Sequence, residues 1–167
     1  MTAQGDQHLA SYLTDHLAGS TAGLNLARQI GDESEGTPLG EFMAGLAADI
    51  EADRKVLEDL LEGLAIDRSP LKQAATWTAE KLSRLRFNRL TLGSRELELL
   101  MELETLWMGV QGKLSLWESL DELKAVDDRL ADLDTATLIE RAASQAEGLR
   151  VRRRALAPLA FGTPPTT

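Results

Sequence analysis

Four amphipathic segments, each opened by a helix-capping residue, predict an all-α fold: a four-helix bundle in up-down-down-up order with a short crossover helix between helices two and three. No run of alternating apolar residues and no hairpin dipeptide competes with that reading. In the first segment Asp6 is placed to cap a helix whose Leu9, Leu13, Leu17, Leu24 and Ala27 recur at helical spacing, and Gly31 supplies a stop. After the turn-like DESEGTP, Thr37 and Pro38 form an N-cap and first-turn pair. The helix they open carries Leu39, Met43, Leu46, Ile50, Leu57, Leu60 and Leu64. Ser69-Pro70 starts a shorter connector helix with Leu71, Ala75, Thr78, Leu82 and Leu85 on one face.

Ser94 caps the most apolar helix, in which Leu97, Leu100, Met101, Leu103, Leu106, Trp107, Met108, Val110, Leu114 and Trp117 leave a narrow polar strip. That strip runs through Glu98, Glu102, Thr105, Gly109 and Gly112. The acidic stretch between Ser119 and Asp134 reads as a short helix or a helix extension through Leu123, Val126 and Leu130. Asp134 caps the last helix, with Leu138, Ile139, Ala142, Ala143, Ala146, Leu149 and Leu156, and Pro158 ends it. The chain therefore divides into a disordered start (1–5), one bundle domain (6–157) and a disordered tail (158–167).

Loop length sets the expected topology. Short joins let helices one and two, and three and four, pack antiparallel, whereas 29 residues separate helices two and three. A helix of about 26 residues is about 39 Å long, and that gap with its connector helix spans such a distance. Helices two and three are then parallel.

At 167 residues the chain is one domain with a real core. Its 27 acidic and 18 basic residues give a net charge of −9, which argues against nucleic acid or an anionic membrane as partner. The absence of cysteine excludes disulfides and thiolate metal sites. There is no secretory signal or apolar membrane span, so a cytoplasmic location follows by default. There is no Gly-x-Ser-x-Gly elbow, and Gly112-Lys113 lacks the Ser or Thr that completes a phosphate-binding loop. These absences lean against an enzyme and leave the question open.

Three ionisable residues interrupt the apolar stripes: His16, Asp53 and Glu104. A charge inside a bundle must find a partner, so such residues mark a polar network, a proton site or a metal site. Tyr12 precedes His16 by one turn, Asp49 precedes Asp53, and Gln145 and Glu147 on the last helix are placed to extend a cluster. The leading expectation is a hydrogen-bonded polar cluster at mid-bundle, with no cofactor. The alternative is an Fe, Mn or Zn centre on His16, Asp53 and Glu104, with Asp49, Gln145, Glu147 and Tyr12 around it.

Four long helices with one crossover between the middle two, and polar core positions over residues 6–157, resemble the ferritin-like proteins. AEKLSRLRFN and ELETLWMGVQGKLSLW are similar to uncharacterised bacterial proteins of this kind. The Glu-x-x-His pairs that hold metals in that family are missing, since His8 and His16 follow Gly5 and Leu13 at that spacing. The resemblance thus implies fold rather than activity: a degenerate, non-enzymatic member acting as a structural or interaction module, or else a metal-dependent redox or storage protein. Gly19 and Gly23 form a small-x-x-x-small pair for close helix approach. Two basic clusters, Lys81, Arg84, Arg86, Arg89 with Arg95, and Arg150, Arg152, Arg153, Arg154, read as solvated faces or as docking sites for an acidic partner. Helix three is more apolar than one flanking pair of helices covers, so either the fourth helix and the connector enclose it or a homodimer does, and the homodimer is the expectation.

Overall fold

A computed structural model describes residues 2–64 and 94–162. The described residues form four long helices and no strand: α1 (Ala3–Glu33), α2 (Pro38–Gly63), α3 (Arg95–Lys124) and α4 (Thr135–Ala160). The expected connector helix, with Leu71, Ala75, Leu82 and Leu85, lies outside the described residues.

The helix starts follow from capping chemistry. Oxygens of Thr37, Ser94 and Asp134 accept from the backbone N–H of Gly40, Leu97 and Thr137, each at 3.2 Å, as expected. α1 differs. Thr2 is its cap, accepting from Gly5 N–H, so the helix begins three residues before Asp6. Asp6 instead lies in the first turn, where its charge suits the positive helix end and pairs with Arg129 at 2.7 Å.

Two predicted stops are passed through. α1 continues beyond Gly31, and the chain turns at Ser34 and Gly36, whose φ of 75° belongs to the left-handed region. Gly31 is a contact rather than a terminator, since a Cβ there would sit 3.5 Å from that of Met43 on α2. α4 likewise includes Pro158, because a proline in the last turn sacrifices only one backbone bond before Ala160 ends the helix. The acidic stretch is both alternatives in part: α3 extends to Lys124, and a single 3-10 turn, Asp128–Leu130, buries Leu130 before Asp134.

The core is two apolar clusters. One joins Leu9, Leu13 and Leu17 of α1, Leu57 and Leu61 of α2, Leu116, Trp117 and Leu120 of α3, and Leu138 and Ala142 of α4. The other joins Leu24, Ala27 and Ile30, then Met43, Leu46 and Ile50, then Leu103, Leu106 and Val110, then Ala146 and Leu149, from the same four helices. α1 packs along α2, α3 along α4, and α1 along α3. Between the clusters every helix carries polar residues or glycine, and there the candidate site lies.

Candidate functional site: a polar layer and an open cleft at mid-bundle

Asp53 falls between Ile50 and Leu57 on α2, one in each apolar cluster, and is 3% exposed. Its carboxylate is held by two cations. Lys113 of α3 donates to Oδ2 at 2.6 Å, and Arg141 of α4 donates to Oδ1. Lys113 also donates to Gln145 Oε1, and Gln145 Nε2 donates to Asp49 Oδ2 at 2.8 Å. Three helices are thereby tied by one chain of charge-assisted bonds, Arg141–Asp53–Lys113–Gln145–Asp49. Burial holds the Lys113 ammonium below the ordinary lysine range, opposed by the Asp53 carboxylate. With two acids and two bases the layer is formally neutral, the condition under which charges survive in an apolar interior.

Beside this layer a cleft of about 690 Å³ opens between α1 and α3, with α2 as its floor. His16, Asp53 and Lys113 all line it, among walls that include Ile50, Leu57, Leu106, Val110 and Leu116. His16 packs edge-on against Tyr12, ring centroids 4.7 Å apart, and burial lowers its pKa against a weaker upward pull from Asp15. Tyr12 in turn donates to Ser119 on α3 at 3.5 Å. Gly19 and Gly23 do not serve close helix approach, because a Cβ on either would meet nothing within 4 Å. They line the cleft, as do Gly109 and Gly112 of α3, which are equally unobstructed.

The three predicted residues are thus not drawn into one centre. Asp53 and His16 border the same cleft, whereas Glu104 lies outside its lining and accepts from Arg153 of α4 at 3.2 Å. Glu147 pairs with Arg150 one turn on, which holds its carboxyl below the usual range. Asp49 and Gln145 do join Asp53. Among the described residues no group of three or more His, Asp or Glu side chains is placed to hold a metal ion. A shared metal shell does not fit donors so arranged, with both Asp53 oxygens already bound by cations.

Lys113 and Arg141 were not anticipated. A signal for Lys113 existed: it follows Leu106 by seven residues and Val110 by three, both buried, so it sits on the inward stripe of α3. Among the described residues, several members of the basic clusters are engaged within the chain. Arg95 pairs with Glu33, Glu98 and Glu102, Arg152 lies 3.6 Å over the Phe42 ring, and Arg153 lies 5.2 Å from that of Trp107. Lys81, Arg84, Arg86 and Arg89 lie outside the described residues. No helix among the described residues is long and apolar enough to cross a membrane. Comparison with protein-family models, with curated proteins and with solved structures returned no match.

Proposed function

We propose that the chain is a non-enzymatic helical bundle, ferritin-like in helix order, that works as a structural or interaction module. The observation that carries this reading is the state of Asp53. This carboxylate, buried between the two apolar clusters, has both oxygens on cations of two other helices, so it serves to fix helix register rather than to offer a ligand or a base. The proposed up-down-down-up order is supported by the clusters: the start of α2 shares one with the start of α3, and the end of α2 shares the other with the end of α3. Metal analysis tests the functional part. Protein purified without chelators and then exposed to Fe(II), Mn(II) or Zn(II) should retain well under one equivalent after desalting, with no change in melting temperature on adding EDTA. A stoichiometric metal that is lost in His16→Ala would establish the redox or storage alternative instead.

The interaction role extends to a homodimer. Its support is Met108, which is 61% exposed in the middle of the most apolar helix. Light scattering at tens of micromolar should show twice the 18.2 kDa chain mass, and a monomer there would remove the dimer.

A further inference from the structure

We propose that the cleft between α1 and α3 is a binding site for a largely apolar molecule that bears no negative charge and carries one hydrogen-bond-accepting oxygen, a carbonyl or a hydroxyl. Its volume of about 690 Å³ lies inside the range of roughly 300–1,000 Å³ that accommodates small ligands. Four glycines keep it open. Each sits inside a helix, where glycine is about 1 kcal/mol less favourable than alanine. A Cβ at Gly19, Gly23, Gly109 or Gly112 would touch nothing within 4 Å, so no backbone packing demands them. What unites the four positions is the cleft they line.

The polar groups define the ligand's chemistry, because most are already used. The hydroxyls of Ser20 and Thr105 donate to carbonyls of their own helices, at 2.7 and 2.8 Å. Arg54 donates to Ser20 and Thr21 and pairs with Glu58 at 3.6 Å, while Asp53 is neutralised by Lys113 and Arg141. An anionic ligand head would therefore have to break an internal pair to find a counterion, whereas the Asp15 carboxylate at the cleft makes no ion pair among the described residues. Two donors remain. His16 makes no hydrogen bond among the described residues, and the Lys113 ammonium uses two of its three N–H groups, on Asp53 and Gln145. Unused N–H groups beside apolar walls suit one acceptor oxygen on an apolar body.

The test uses the full chain with Nile red as an uncharged probe, displaced by 1-decanol or by decanoate at pH 8, two competitors of equal chain length and different charge. Nile red should bind saturably at one site per chain, and decanol should displace it at least tenfold more effectively than decanoate. Gly23→Leu and Gly109→Leu, which place an isobutyl group in the cleft, should weaken dye binding at least tenfold while helix content by circular dichroism is retained. Absence of saturable binding, decanoate competing as well as decanol, or folded leucine variants that bind like the parent would each overturn the proposal. So would a parent dimer that binds no dye and dissociates in the leucine variants, which would assign the cleft to a second copy of the chain. Should the leucine variants fail to fold, the decanol and decanoate comparison on the parent decides alone. Metal content plays no part in these readouts, so this proposal and the non-enzymatic reading above are tested separately, whereas the homodimer competes with it, because Met108, which supports the dimer, lines the same cleft.

Discussion

At the scale of single residues, the most consequential contact is Asp53 with Lys113. Removing one partner of a buried pair leaves an uncompensated charge, at a loss of roughly 3–5 kcal/mol. Asp53→Ala strands both Lys113 and Arg141 and should fall in that range, read from urea unfolding. Replacing both partners with apolar residues of similar size, Asp53→Leu with Lys113→Met, should recover most of the loss. Arg141, whose side chain is already 28% exposed, can then turn its head group to water. If the double variant were as unstable as the sum of the single ones, the pair would not be coupled. His16 gives a second expectation. Its folded pKa is depressed by burial below the unfolded value of about 6.5. Below that pH the unfolded chain takes up a proton that the native imidazole resists, so stability is fully present above about 6.5 and falls as pH drops from there toward the folded pKa. His16→Gln should flatten the fall between pH 7.5 and 5.5. An unchanged slope would place the titration elsewhere.

At the scale of elements, the α1–α2 corner depends on Gly40. A Cβ there would run into the backbone carbonyl of Ser34, which cannot yield as a flexible side chain can. Gly40→Ala should destabilise by about 1–3 kcal/mol, the usual range for overpacking. Gly23→Ala, in open space on α1, should stabilise by up to about 1 kcal/mol. Equal effects in thermal melts would defeat the distinction. The same contrast explains what was legible in the sequence. Helix starts at Thr37, Ser94 and Asp134 were readable because one side chain caps one or two nearby N–H groups, a local event. The stops at Gly31 and Pro158 were misread because termination depends on packing and on the turns that follow. Asp53 stood out from the stripe of α2, which is apolar on one side only. α3 is apolar almost all round, so although Lys113 follows buried Leu106 and Val110 at helical spacing, Glu104 also lies among apolar neighbours and drew the reading instead, while it pairs with Arg153 outside the cleft. Long basic side chains also reach inward from positions that look peripheral, as Arg141 does.

At the scale of the whole molecule, helix order decides whether the polar layer can exist, because Asp53, Lys113 and Gln145 must lie level on three helices. Two ion pairs mark the ends of the bundle. Glu33 at the end of α1 meets Arg95 at the start of α3, and Asp6 at the start of α1 meets Arg129 in the turn before α4. Together with the two clusters, they support α2 and α3 as parallel neighbours of an antiparallel α1. The chain contains no cysteine, so an introduced pair reports without interference. Glu33→Cys with Arg95→Cys should be joined within one chain by a short bis-maleimide, visible as a faster-migrating band. In the opposite order for α3 the two sites would be separated by most of a 30-residue helix, about 45 Å, far beyond the reach of such a linker. Glu33→Cys with Lys124→Cys supplies the converse, since it should cross-link only if α3 were reversed. Closure of the second pair and not the first would discard the up-down-down-up order and, with it, the account of why these charges meet at mid-bundle.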